Sequence, residues 1–325
     1  MKILICGLGS IGERHARNLL ALGVKDLMFY RQRQLPLRTV SNDFPVFSDL
    51  DEALARKPDV AFVCNPTHLH LETAIRCVRG GCHVFVEKPL SHSPEGLNTL
   101  QHHIENSGKK LMVGYMMRFH PCLKKAEKWI VAGEIGRVIY YRSSWGEYLP
   151  DWHPYEDYRE SYAARREMGG GPILTLSHEF DMMLWLVGDY EKTMALANYA
   201  SHLELSTEHG VDALFKLCCG GTASVHLDYF QTPAYRITEI VGTRGRILFD
   251  YYGSRVVRFG HGKTEPVTVM DISGDFDRNE LFLGEVRYFL RSLSSQDDIV
   301  PGFREGAKVV HLAAELERKC VHADH

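Results

Sequence analysis

The sequence predicts an α/β protein of two domains: a doubly wound parallel sheet over residues 1–120, then an α+β domain over 121–325 built on a large, mostly antiparallel open sheet. Three observations lead there. The apolar run Ile3-Leu4-Ile5-Cys6 passes directly into Gly7-Leu8-Gly9-Ser10-Ile11-Gly12. Short apolar runs then alternate with helical patterns as far as residue 120, the signature of parallel strands covered by helices. Beyond that point β-rich stretches separated by glycine turns take over, which suits antiparallel pairing. A chain of 325 residues is also long for one core, so two domains are the natural division.

In the first domain the apolar runs place strands at 2–6, 27–30, 60–64, 83–87 and 110–114. Ser48-Asp49-Leu50-Asp51 reads as a capping box opening a helix that runs to Arg56, and Thr67 as the cap of a helix ending at Gly80-Gly81. In the second domain a helix over 121–132 stops at Gly133. Strands follow at 138–145, 194–199, 213–217, 223–229 and 237–241. Turns at Cys219-Gly220-Gly221-Thr222 and Gly242-Thr243-Arg244-Gly245 separate several of them. Helical patterns occupy 176–187, 280–293 and 305–320, the last of which is free to return to the first domain.

Composition narrows the class. A hydrophobic share of 45% with 24% charged residues describes a soluble globular protein, and a formal net charge of -3 gives no bias towards nucleic acid or an anionic membrane. No apolar run approaches the roughly 20 residues of a membrane span, and the opening run breaks at a glycine turn too early for a signal peptide. The 8 cysteines are scattered, without a C-x-x-C pair, so reduced thiols in a cytoplasmic protein are expected. Neither His68 with His70 nor His102 with His103 has the carboxylate or cysteine company of a catalytic zinc site, so no metal is expected.

The glycine turn carries the first functional reading. Between a strand and a helix, its first glycine permits a tight turn, its second lets backbone approach a pyrophosphate, and its third lets the helix pack on the strand. This is the fingerprint of a Rossmann dinucleotide site, with Gly7, Gly9, Ser10, Ile11 and Gly12 around the phosphates at the helix N-terminus. Ligands of such sheets lie outside the carboxyl ends of the strands. Asn65, Pro66, Thr67 and His70 after the 60–64 strand, and Glu87-Lys88-Pro89 after the 83–87 strand, should therefore also border the cofactor. A nicotinamide dinucleotide is expected, with NADP preferred over NAD. The 27–30 strand ends in Arg31-Gln32-Arg33 instead of the carboxylate that binds ribose hydroxyls, and its nearest acid, Asp26, lies at the wrong end. Arg31 and Arg33 can hold a 2'-phosphate.

Hydride exchange between a secondary alcohol and a nicotinamide needs a partner for the hydroxyl proton. A desolvated lysine suits this task, because burial draws its usual pKa of about 10.4 towards neutrality. Lys88 stands where it is needed.

Further motifs stand in one order: Pro66 to His70 (P-x-x-x-H), Glu87-Lys88-Pro89, Gly114 to Pro121 (GYMMRFHP, as G-x-x-x-R-F-x-P), Gly133-Glu134-Ile135-Gly136, and Gly169-Gly170-Gly171 before a helix bearing His178 and Asp181. With the glycine turn, they make the chain resemble the glucose-fructose oxidoreductase and inositol dehydrogenase (Gfo/Idh/MocA) family over essentially its whole length. The resemblance implies an NAD(P)-dependent oxidoreductase acting on a secondary alcohol or ketone of a sugar, nucleotide sugar or cyclitol, with Lys88 and His178 sharing the proton. Relatives carry a carboxylate four residues before the histidine, whereas here Leu174 and then Thr175 precede His178. Asp181, on the same helical face, is the replacement candidate for orienting the imidazole. Beside Lys88 and His178, Tyr115, Arg118 and Tyr158 are candidates for substrate contact, with Trp152 and Arg159 as further pocket residues. The departure at Thr175 keeps open a catalytically silent dinucleotide-binding regulator, and the scaffold also admits a redox-neutral glycosidase or epimerase that retains its nicotinamide. Relatives pack sheet against sheet, which implies a homodimer or homotetramer, and Leu214, Leu217, Val225 and Leu227 are expected on the exposed sheet face.

Overall fold

A computed structural model describes residues 1–32, 38–41, 43–274 and 276–321. Two compact units divide the chain: Met1–Met116 joined by Asn279–His311, and Met117–Arg278 joined by the residues from Leu312 onward.

The first unit is a six-stranded parallel sheet with helices. Its strands are β1 (Ile3–Cys6), β2 (Leu27–Tyr30), β3 (Val46–Phe47), β4 (Val60–Val63), β5 (His83–Glu87) and β6 (Leu111–Gly114), in spatial order β3-β2-β1-β4-β5-β6. Strand order reverses between β1 and β4, which pair from Ile3 with Val60 to Cys6 with Val63. Every residue of β1, β2, β4 and β6 is buried, as continuous apolar runs covered on both faces must be. The helices are α1 (Ser10–Ala21), α2 (Leu50–Leu54), α3 (His70–Arg79) and α4 (Leu97–Ser107). Asp49, not Ser48, caps α2, accepting from the amides of Asp51 and Glu52. Thr67 opens only a single 3-10 turn, Thr67–Leu69, and α3 begins at His70 with no side-chain cap, so the capping role predicted for Thr67 does not hold. Two elements escaped the sequence reading: β3 has only two residues, and α4 starts after a left-handed Gly96 without a capping side chain.

The second unit contains α5 (Pro121–Val131), β7 (Val138–Gly146), α6 (Pro172–Thr175), α7 (His178–Val187), β8 (Tyr190–Asn198), β9 (Gly210–Leu217), β10 (Thr222–Asp228), β11 (Tyr235–Gly242), β12 (Gly245–Asp250), β13 (Arg255–Gly260) and β14 (Thr268–Asp271). The strands form one sheet in the order β14-β13-β12-β11-β7-β10-β9-β8. Every neighbouring pair is antiparallel except β10 with β7, which run parallel. The helix predicted over 176–187 is α7, which starts two residues later at His178; the short α6 before it was not predicted, and Leu176, at φ -98 and ψ 21, leaves helical geometry between the two. Two further helices end the chain, α8 (Asn279–Ser292) and α9 (Phe303–Val321). Helix α8 belongs to the first unit, and α9 starts in the first unit and finishes in the second.

Alternation along β9 and β10 corrects the expected outer face of the large sheet. Leu217, Val225 and Leu227 point into the core, while Leu214 alone of the four points out, together with Met194 and Leu196 of β8. In β10 the outward positions are the polar Ser224 and His226, so the apolar patch sits one strand nearer the edge than predicted.

Candidate active site

The turn from β1 into α1 shows each glycine in its own role. Gly7 lies at φ +96, and a Cβ there would stand 2.6 Å from the Asn65 backbone nitrogen. A Cβ on Gly12 would stand 2.0 Å from the Gly7 carbonyl oxygen, whereas one on Gly9 would meet nothing within 4 Å among the described residues. The first and third glycines thus close the turn, and the second leaves backbone open on its outer side. No side chain caps α1, so the amides of its first turn, around Ser10 and Ile11, are left for a ligand. An open glycine beside an uncapped helix N-terminus fits a pyrophosphate.

The neighbouring strand ends converge on that turn. Asn65 follows β4 against Gly7, and its Nδ2 donates to Thr73 Oγ1 at 2.8 Å. Pro66 is half-buried and Thr67 is buried. His70 bridges the two loops, its Nδ1 2.7 Å from the Pro89 carbonyl and its Nε2 2.8 Å from the Asn65 carbonyl. Only an imidazolium could donate both bonds at once. Burial holds the His70 pKa below its usual value against the pull of those carbonyls and of Glu87, so at neutral pH the ring makes one bond at a time. His70 is therefore a clamp beneath the site. Glu87, at the end of β5, turns its Oε1 to His15 Nε2 at 2.6 Å, and its Oε2 accepts from the Lys88 amide at 3.2 Å. Lys88 itself is half-buried at the strand end, joined to Pro89 by a cis peptide.

At the end of β2, Arg31 is half-buried and its amide donates to the Phe47 carbonyl at 3.0 Å; Arg33 lies outside the described residues. Sequence reading missed Glu13, a buried acid in the first turn of α1. It accepts from the amides of Arg38 at 3.1 Å and Thr39 at 2.6 Å and from the Thr39 hydroxyl at 2.6 Å. Burial opposes its ionisation, but these donors outweigh it and hold the carboxyl below its usual range. Glu13 thereby latches the chain after β2 to α1. An acid among the buried positions of an amphipathic helix was the available signal.

In the second unit Arg118 grips Asp181 with a fork: Nε to Oδ2 at 2.9 Å and Nη2 to Oδ1 at 2.8 Å. The guanidinium also lies 5.5 Å from the Trp185 ring centre. Two residues predicted for separate duties, substrate contact and imidazole orientation, are thus each other's partners. His178 is the first residue of α7, buried, with its ring centre 6.2 Å from that of Trp145. The turn beneath it is anchored by a pair the sequence reading did not single out: Arg236 Nε donates to Glu179 Oε1 at 2.6 Å, and the Ser143 hydroxyl donates to Glu179 Oε2. Arg236 stacks 3.8 Å from the Trp145 ring centre. Alternation in β11 puts residue 236 on the same face as Ile240, which was a legible hint of a buried arginine. Tyr158 accepts from the Glu204 amide at 3.2 Å, Arg159 pairs with Asp157 at 2.8 Å, and Trp152 packs edge-on to Tyr229 at 5.5 Å. Tyr115, in the first unit, is fully buried. His102 and His103 stand on exposed α4 with ring centres 6.1 Å apart.

Comparison with known proteins bears on the fold and the family. Residues 1–115 match an oxidoreductase family with an NAD-binding Rossmann fold, GFO_IDH_MocA, and residues 123–248 match the GFO/IDH/MocA C-terminal domain. The chain is 27% identical over 296 residues to a levoglucosan dehydrogenase of Pseudarthrobacter phenanthrenivorans, covering 77% of this chain and 74% of that protein. It is 28% identical over 264 residues to a myo-inositol 2-dehydrogenase of Thermotoga maritima, covering 77% and 75%. The fold matches a levoglucosan dehydrogenase solved in complex with NADH at a TM-score of 0.88, with 19% identity over 99% of this chain and 97% of that one. No helix among the described residues is long and apolar enough to cross a membrane. The glycine turn, the strand order and both domain matches make this chain a member of the GFO/IDH/MocA family of NAD-binding oxidoreductases.

Proposed function

We propose that the protein oxidises or reduces one secondary alcohol or ketone of a sugar, nucleotide sugar or cyclitol, with Lys88 exchanging the hydroxyl proton. The observation that carries this reading is the strand-end arrangement: β5 delivers Lys88 two strands from the open Gly9 turn, with the His70 clamp binding the intervening loop. A bound nicotinamide dinucleotide supplies the hydride chemistry. Gly7, Gly9, Ser10, Ile11 and Gly12 hold its phosphates, and Asn65, Pro66 and Thr67 border it. Lys88 then binds the substrate oxygen and gives or takes its proton. We assign His178 the second proton-handling role and read Asp181 as the anchor of Arg118.

Within the NAD(H) class we propose a preference for NADP, because the sequence after β2 carries Arg31 and Arg33 in place of the carboxylate that would repel a 2'-phosphate. We also propose a cytoplasmic homodimer or homotetramer. The test is turnover of NADPH and NADH with a panel of keto sugars, nucleotide sugars and inosose. Lys88→Ala should lower kcat by about 10³-fold or more, the scale of losing general acid–base assistance. Arg31→Ala should raise the KM for NADPH about tenfold, with little change for NADH.

One observation favours a second reading, a silent dinucleotide-binding regulator: the position of the family's carboxylate is held by Leu174 and Thr175, and Asp181 is engaged by Arg118. Tight NADPH binding without turnover of any panel member would decide for it. A cofactor released only on denaturation would decide for a redox-neutral enzyme.

A further inference from the structure

We propose that Glu285 is the third member of a closed His15–Glu87–Glu285 cluster, a positioning residue that leaves a single anionic carboxylate, that of Glu87, behind Lys88. The proposal rests on the assignment of Lys88 as the proton-exchanging group and adds what sets the charge at its back. His15 comes from α1, Glu87 from the end of β5 and Glu285 from α8, so three separate elements of the first unit meet there. Each offers a ligating atom within 4.8 Å of the others, and His15 and Glu285 are wholly inaccessible. His15 Nε2 and Glu87 Oε1 are 2.6 Å apart, while neither Glu285 oxygen has a hydrogen-bond partner among the described residues.

The walls are aromatic. The His15 ring centre lies 5.5 Å from that of Phe62, 5.1 Å from Phe85 and 6.1 Å from Phe282, and Phe289 closes on Phe62 and Phe85 at 5.9 and 5.7 Å. Two carboxylates this close in such surroundings cannot both be ionised. The asymmetry of partners decides which keeps the proton. Burial opposes the charge of Glu87, but the His15 hydrogen bond first, and then the nearby Lys88 charge, outweigh it and hold its carboxyl low. Burial first, and then the Glu87 charge, push the Glu285 carboxyl well above its usual range. The ionisable groups packed around the cluster are Arg14, whose guanidinium covers Phe282, Cys64 after β4, His70 of α3, and Lys88. Among the described residues none of them gives Glu285 a hydrogen-bond partner, as His15 gives Glu87. A neutral Glu285 keeps an O–H donor near the Glu87 carboxylate and adds no second negative charge to stabilise the Lys88 ammonium.

The experiment uses the full chain without any substrate. Infrared spectra at neutral pH should show a protonated-carboxyl C=O band that disappears in Glu285→Gln. In parallel, acetic anhydride labelling of Lys88, followed by peptide mass spectrometry across pH, gives the midpoint of amine deprotonation. Glu285→Gln should leave that midpoint within about 0.3 units of the parent, whereas Glu87→Gln should lower it by about one unit, the size of losing one nearby opposite charge. Absence of the band overturns the inference, as does a Glu285→Gln midpoint that falls as far as that of Glu87→Gln. Stoichiometric metal in the purified protein, whose removal by chelator shifts the midpoint, would also overturn it. If the band is present but Lys88→Ala leaves turnover intact, the assignment of Lys88 fails and the protonation of Glu285 stands.

Discussion

Gly9 and Gly12 separate ligand binding from folding within one turn. A methyl on Gly12 would meet the Gly7 carbonyl at 2.0 Å, so Gly12→Ala forces the helix away from the strand. Overpacking of this kind costs about 1–3 kcal/mol. A methyl on Gly9 meets nothing within 4 Å, so Gly9→Ala should leave the urea midpoint nearly unchanged while weakening NADH binding at least tenfold. Denaturation curves and fluorescence titration of the two variants check this, and equal losses of stability would contradict it. The glycine roles were readable from the sequence because the spacing itself encodes the turn. The Arg118–Asp181 fork was not, because the residues are separated by 63 positions and only folding brings them together. Reading each alone gave Arg118 a substrate and Asp181 the His178 imidazole, when each is a partner of the other.

Helix α5 shows how a capping residue couples an element to pH. His120 stands at its N-cap, where Nδ1 accepts from the Cys122 amide at 3.2 Å, before Pro121 at the first helical position. The ring is fully buried against Phe249 and Phe276, at 4.9 and 4.8 Å between centres. Burial, assisted by the Arg236 charge, lowers its pKa to about 3. The unfolded chain titrates near 6.5, so between those values the unfolded state binds more protons than the folded one. Stability is therefore complete above about pH 6.5 and falls as the pH drops towards 3. From pH 7 to pH 5 this one group should cost about 2 kcal/mol. His120→Asn keeps a capping acceptor without the titration, so its loss of stability over that interval should be smaller than the parent's by about that amount. Chemical denaturation at both pH values measures it, and parallel losses would refute the assignment. The start and end of α5 were legible, since Pro121 and Gly133 mark them. Strands β12 to β14 were not: β12 and β13 carry Arg246, Arg255 and Arg258 among their apolar residues, which blurs the alternation that marks a strand.

For the whole molecule, the outer face of the eight-stranded sheet carries the next consequence. Met194 pairs with Leu214 across β8 and β9, and both project outward with 70% and 54% of their surface exposed; Leu196, two residues along β8, is 65% exposed. Three large apolar side chains side by side on a sheet face make it a candidate interaction surface. A second copy is the partner we propose, since a self-complementary patch closes a two-fold dimer with each residue meeting its symmetry mate. The polar remainder of the face sets its limits. His226 stands between Asp228 at 3.1 Å and Asp212 at 2.8 Å, and these carboxylates raise its pKa to about 9, so it stays cationic and balanced below that pH. The hydrophobic contact is thereby confined to the β8–β9 end. Replacing Met194 and Leu214 together by Glu puts two like charges directly opposite each other on that patch, and two more from the partner against them. Light scattering should then report a monomer where the parent protein gives a dimer or tetramer, and the Tm at high dilution should change little, because neither side chain contributes to the core. A parent protein that is monomeric at tens of micromolar, or a double variant that keeps its oligomeric mass, would remove this face as the interface.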